Sequence, residues 1–301
     1  MSRSPGTVVA AALCAAAAAG CGVGPGDDAG EVELTVTRGY GAQVLLEEGE
    51  TIKESDTVLR VLDRVADVET RYGGGFVQSI DGLAGGADDG RRSDWFFYVN
   101  GIESPVGAAE YDPGEGDRIW WDYRDWTSAM RVPAVVGSWP EPFVHGFQGE
   151  RYPTEIKCLA PPAACGTVSD RLDAEGVEPP SGTGAGDTVE VLVGTWNRIR
   201  SDEAARLLEE GPAASGVFAT FAGQRRPLLN LLNERGEPAG SLGHGSGLVA
   251  ALRPSDGPPT WVVTGADRAG VSAAAAQLGD GLRNHYAVAV DAGGPIAVPV
   301  P

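Results

Sequence analysis

Few residues in this 301-residue chain are placed to do chemistry. Its three histidines, His145, His244 and His285, stand far apart with no metal-ligand spacing, and no Asp-x-Asp-x-Asp-Gly run offers a calcium loop. The stretch "GHGSGL" sets Ser246 near His244, but a nucleophile elbow needs glycine two places before and after the serine. His244 and Leu248 occupy those positions, so the stretch reads as a Gly-rich surface loop. "EPPSGTGAGD" (178–187) lacks the Gly-Lys-Ser/Thr ending of a phosphate loop and precedes its strand instead of following it, so it reads as a linker. Asp267 falls at the carboxyl end of an expected strand, where α/β proteins bind ligands, but its first reading is as the cap of the helix that follows. No catalytic constellation, metal or cofactor is predicted, and the expected class is not an enzyme.

The four cysteines separate by position. Cys14 lies in residues 1–20, which carry an early Arg3 and an apolar run from Val8 to Ala19, too short for the roughly 20 residues that span a bilayer. That is the pattern of an export signal. Its end, Ala18-Ala19-Gly20-Cys21, resembles the bacterial lipoprotein box, which implies Cys21 as the lipid attachment point; an ordinary secretory signal is the alternative. Residues 21–30 are Gly-rich and polar, as in a flexible tether. Either reading puts the mature chain outside the cytoplasm. There Cys158 and Cys165, enclosing "LAPPAA", are expected to form a disulfide worth about 2–3 kcal/mol; as zinc ligands they supply half a tetrahedral shell.

Charge narrows the partners. Against 23 Lys plus Arg stand 42 Asp plus Glu, a net of −19, which repels nucleic acid and anionic lipid. No nucleic-acid partner is expected, and membrane contact only through the lipid. Residues 22–126 hold 23 of the acids and 9 bases. Within them, residues 93–123 concentrate three of the seven tryptophans beside seven carboxylates.

Those rings need strands to hold them. Val32, Leu34 and Val36 alternate with Glu31, Glu33 and Thr35 as in a half-buried strand, and "AQVLLEEGETI" gives a second. Val58, Val61, Leu62, Val65 and Tyr72 then recur at helical spacing, with Ser55 and Asp56 as caps and three glycines at 73–75 as the stop. "FVQSI", "DWFFYVNGI" and "DRIWWDYRDW" read as three more strands, with Asn100-Gly101 a tight turn. Two strands, a helix and three strands fit a β-grasp over residues 31–126. Trp95, Tyr98, Asn100-Gly101, Gly107, Tyr111, Gly116-Asp117, Ile119 and Tyr123 carry a further likeness. They resemble the small β-grasp domain of exported bacterial proteins similar to the C-terminal domain of transcobalamin and intrinsic factor, of the domain-of-unknown-function 4430 type. The resemblance covers about a third of the chain and implies closure over one face of a corrinoid.

Along a strand successive side chains point to opposite faces, so Trp95, Phe97 and Val99 oppose Phe96 and Tyr98, and Ile119, Trp121 and Tyr123 oppose Trp120 and Asp122. One helix covers one face of a small sheet. Some rings are therefore expected on the uncovered face or its rim, and Trp95, Tyr98, Asn100, Tyr111, Trp120, Trp121 and Tyr123 are the candidate ligand contacts. The alternative is that they pack under a loop or against a second domain. Asp112, Glu115 and Asp117 fall in turns, as solvated charges.

Residues 127–187, rich in Pro and Gly, read as an irregular connection containing the disulfide. From 188 to 301 strand and helix alternate, from "TVEVLVGTW" through "SDEAARLLEEG" to "RAGVSAAAAQL" and "AVAVD", which argues for an α/β layered domain. The expected fold class is α+β: an N-terminal β-grasp domain followed by a second α/β layered domain. The expected function is binding of a small ligand at an extracytoplasmic, lipid-anchored protein, with a corrinoid implied by the resemblance and a transporter or envelope protein as partner. The alternative is an envelope interaction or structural module.

Overall fold

The computed structural model describes residues 26–177 and 187–301, so the expected export segment, Cys21 and most of the expected linker lie outside the described residues. Strand β1 (Asp28–Arg38) begins inside the stretch expected to be a tether and pairs antiparallel with β2 (Gln43–Lys53). Gly41 is required in the turn between them: its φ is +80°, and a Cβ there would lie 1.8 Å from the Asn284 carbonyl oxygen.

Helix α1 (Val58–Asp63) is capped by Thr57, whose hydroxyl accepts the Arg60 amide. This corrects two expectations. Asp56 is not the cap; it accepts the Lys53 amide and the Arg64 guanidinium. Nor does the helix run on to Tyr72, which is 88 % exposed. The amides of Val65 and Ala66 close on the Leu62 carbonyl, and β-branched Val68 and Thr70 enter β3 (Val68–Arg71).

Strand β3 joins β4 (Phe76–Ile80) and β5 (Leu83–Ala84) in a small antiparallel sheet of its own. "FVQSI" is thus β4 of that sheet, not a strand of the main one as expected. The main sheet is completed by β6 (Gly86–Asp88), β7 (Arg91–Val99), β8 (Ile102–Glu103) and β9 (Arg118–Asp125). Its order is β2-β1-β9-β7-β6, with β8 on β7; β1 and β9 run parallel at the centre and the other pairs are antiparallel.

The connection expected to be irregular contains β10 (Thr154–Leu159) and α2 (Pro162–Ala174), which are the first strand and helix of the second sheet. Only a short alternation, Ile156 and Cys158, marked that strand among prolines and glycines. The chain continues through β11 (Val189–Thr195), α3 (Trp196–Ile199), α4 (Glu203–Glu210) and α5 (Pro212–Ser215). A three-stranded antiparallel sheet follows: β12 (Ala219–Ala222), β13 (Leu228–Leu232) and β14 (Pro238–Leu242). Then come β15 (Gly247–Leu252), β16 (Thr260–Gly265), α6 (Arg268–Ala275), β17 (Ala287–Asp291) and β18 (Gly294–Val298). The second sheet has the order β10-β11-β16-β15-β17-β18, with β10, β11 and β16 parallel. Its central strands bury Val, Leu and Ala on both faces, because helices α2 and α6 cover one and α3, α4 and β12–β14 the other.

The whole is a mixed, strand-rich α+β protein with four sheets among the described residues. One core lies between the main sheet and α1, and a second under α2 and α6. A third joins the halves, bringing Tyr40, Tyr98 and Trp120 against Trp196, Phe218, Leu248 and Tyr286.

Candidate functional site

On β7 and β9 the pairs Trp95–Tyr123, Phe97–Trp121 and Val99–Ile119 share the face that carries α1, while Phe96–Asp122 and Tyr98–Trp120 share the other. The second face is not free. Trp120 stands 5.3 Å from the Tyr286 ring, Tyr98 meets the same residue hydroxyl to hydroxyl at 3.2 Å, and the Trp120 indole donates to the Thr37 hydroxyl at 2.8 Å.

Six of the seven candidate contacts are therefore sealed, and the expectation that they form a ligand surface is corrected. Trp95, Tyr98, Asn100, Tyr111, Trp120 and Trp121 are all buried. Trp95 donates its indole to the Leu83 carbonyl at 2.8 Å, under β5. Trp121 stacks on Phe97 at 4.9 Å. The Tyr111 hydroxyl accepts the Gln148 amide at 3.2 Å. Asn100, at φ +54°, locks its turn: its amide donates to Asp117 at 2.7 Å and to the Gly146 carbonyl at 2.8 Å, and its oxygen accepts the Arg118 amide. Asp117, expected as a solvated charge, is buried there, and desolvation raises its carboxyl above the ordinary range. The reason differs by face: the second half of the chain covers Tyr98 and Trp120, α1 and the small sheet cover Trp121 and Trp95, and the Gly146–Gln148 segment closes over Asn100 and Tyr111.

At the centre of the covered face lies Asp122, fully buried. Its carboxylate accepts from the Thr37 hydroxyl at 2.5 Å, the Tyr40 amide at 2.9 Å, the Gly41 amide at 3.2 Å and the Tyr286 hydroxyl at 3.0 Å. Desolvation outweighs the Thr37, Gly41 and Tyr286 donors and the nearby Arg124 charge, and pushes the carboxyl up to about 6. Arg124, also fully buried, lies 3.7 Å above the Phe96 ring and donates to the Ala129 carbonyl at 2.7 Å. Buried and hydrogen-bonded from both halves, this knot holds them in register.

Other reactive-looking groups are also committed. Asp267 caps α6 through the Gly270 amide at 3.0 Å and takes the Gly245 amide at 2.8 Å, with His244 Nε2 at 3.4 Å. Ser246 is buried and donates to the Gly243 carbonyl, so it is neither exposed in a loop nor activated by a base. Glu141 and His145 form a pair the sequence did not suggest, Nδ1 to Oε1 at 2.6 Å. Gly116 packs so closely on the ring that a Cβ there would sit 2.4 Å from Nε2. Cys158 and Cys165 are disulfide-bonded, tying the end of β10 to the first turn of α2. No group of three or more His, Cys, Asp or Glu is arranged for a metal among the described residues.

Tyr123 alone of the seven stays half-exposed, its hydroxyl donating to the Ala84 carbonyl at 3.0 Å. It opens into a cleft of about 870 Å³ at the end of the α1-bearing face, lined also by Arg38, Ser93, Asp125, Glu234 and Arg235. Arg91 spans the cleft, bonding Asp125 at 3.0 Å and Glu234 of the second half at 2.8 Å. Burial pushes the Asp125 carboxyl up, but hydrogen bonds from Thr127 and Arg91 overcome it and hold the group below the usual range. Glu234 and Arg235 escaped the sequence reading because they reach the cleft from a turn more than a hundred residues away; the "NERG" turn was the only signal.

The family described as Domain of unknown function (DUF4430) matches residues 55–125, less than half of the chain. That stretch runs from the start of α1 through the end of β9 and carries all seven candidate residues. Among solved structures, a "putative metal binding protein" from Ruminococcus gnavus ATCC 29149 is 19 % identical with a TM-score of 0.25, over 32 % of this chain and 97 % of its own. Haptocorrin in complex with Cbi is 16 % identical with a TM-score of 0.27, over 33 % of this chain and 26 % of its own. The chain thus spans about a quarter of the haptocorrin length. No curated protein matches.

Proposed function

We propose that this is an extracytoplasmic protein, anchored through Cys21, that binds a small ligand without transforming it, and that its N-terminal half is a β-grasp unit. A parallel central pair, β1 and β9, with antiparallel flanking strands and one helix on a face, is the arrangement such a unit requires. The observation that carries the binding reading is the 870 Å³ cleft beside Tyr123, where apolar ring edge and several charged groups converge at a junction of the two halves. A corrinoid, suggested by the residues around Trp95 to Tyr123, is the first ligand to test. Titration with cyanocobalamin, followed by tryptophan fluorescence and absorbance, is expected to show saturable quenching that Tyr123→Ala weakens at least about fivefold. Absence of any response at tens of micromolar removes the corrinoid; a Tyr123→Ala variant that binds like the parent removes the cleft.

A second reading, docking of a protein in the cell envelope, is favoured by β2. It is an edge strand of 11 residues, and Val44 and Leu45 are each 44 % exposed on it. Binding of an envelope protein that Val44→Lys abolishes would favour that reading over the first.

A further inference from the structure

The second sheet changes helix face at β11. After β10 the chain returns through α2 on one face, after β11 it turns to α3 and α4 on the other, and after β16 it passes to α6 on the first. Neighbouring parallel strands whose following helices leave on opposite faces open a crevice beyond their carboxyl ends, where open α/β sheets take their ligands. Here that crevice holds about 530 Å³, between Leu159–Pro162, Thr195, Asn197, Arg198 and Arg268.

Its charge is unlike that of the rest of the molecule. The chain has 42 acidic residues to 23 basic ones, yet no carboxylate lines this crevice, whereas Asp88, Asp89, Asp125 and Glu234 line the cleft beside Tyr123. Among the described residues Arg64, Arg91, Arg118, Arg131, Arg200 and Arg283 sit in ion pairs. Arg198 and Arg268 have no ion pair and no side-chain hydrogen bond among the described residues. Two unneutralised guanidiniums beside one cavity call for a group with more than one negative charge, and a planar monocarboxylate satisfies one fork only. The wall opposite is apolar: Leu159 is 42 % exposed, beside Pro161 and Pro162, and the Cys158–Cys165 disulfide fixes it to β10.

We propose that this crevice binds a phosphorylated small molecule, its dianionic phosphate between Arg198 and Arg268 and its carbon part against Leu159, Pro161 and Pro162. The site lies in the other half from the cleft beside Tyr123, so failure of either leaves the other standing.

Calorimetric titration of the full chain at low salt with phenyl phosphate, inorganic phosphate and benzoate tests it. Phenyl phosphate is expected to bind saturably and more tightly than inorganic phosphate or benzoate. Arg198→Gln and Arg268→Gln are each expected to weaken it at least about tenfold. Arg206→Gln, which removes an exposed and equally unpaired guanidinium from α4, is the charge control and is expected to change binding less than about twofold. All three positions are exposed, and unchanged circular dichroism confirms that the variants fold. No saturation by about 10 mM phenyl phosphate, or parental affinity in the Arg198 and Arg268 variants, overturns the proposal. Inorganic phosphate binding as well as phenyl phosphate overturns the assignment to an ester, and benzoate doing so overturns the dianion.

Discussion

Asp122 shows what a buried carboxylate does to stability. Because its folded value is raised to about 6, above its unfolded value, the protonated form is the one folding favours. Its contribution is therefore least favourable above about pH 6, improves as pH falls through that value, and levels off near pH 4. Asp122→Asn cannot accept all four donors and is expected to lose about 2–4 kcal/mol. The gap between parent and variant in urea midpoint should widen from pH 7 to pH 4; a gap that narrows contradicts the burial argument. Trp120→Ala and Trp121→Ala, on opposite faces, are each expected to cost about 3–5 kcal/mol in the same assay. Which rings share a face was legible, because a strand's period of two needs no tertiary information. What covers the second face was not, because Tyr286 stands 164 residues from Asp122 and nothing local to either announces the other.

At the scale of elements, close approach decides. Helix α6 lies so near β15 and β16 that a Cβ on Gly270 would fall 1.9 Å from the Ser246 carbonyl oxygen, and one on Gly247 would fall 2.2 Å from the Gly270 carbonyl oxygen. Gly270→Ala is expected to destabilise by about 1–3 kcal/mol despite the better helix propensity of alanine. Gly166→Ala in α2, where a Cβ meets open space, is expected to stabilise by up to about 1 kcal/mol. Equal effects in thermal unfolding would mean that the helix is not pressed against the sheet. Removing the disulfide with Cys158→Ser and Cys165→Ser should cost about 2–3 kcal/mol, read from the urea midpoint with and without reductant. Strands β1, β2, β7 and β9 were legible from alternation and turn chemistry. The length of α1 was not, since Val65 and Tyr72 kept the helical spacing by chance, and β10 and α2 were hidden by the prolines around them. The cleft beside Tyr123 was legible by one residue only.

The molecule as a whole has one wall in common. Tyr40, Tyr98 and Trp120 belong to the first sheet and share a core with Trp196, Phe218 and Leu248 of the second half, and Arg283 ties Glu33 and Glu47 across the rim. Unfolding is therefore expected as a single transition, with tryptophan fluorescence and far-ultraviolet circular dichroism coincident in urea. Two resolved transitions would mean that the shared core contributes little. The middle position of β1 carries a mechanical consequence as well. A pull arriving from the N-terminal side enters through a strand flanked on both edges, by β2 and by β9, and so loads many backbone bonds sideways together instead of unzipping them one after another. Force applied at that end is therefore expected to meet shear resistance in the sheet.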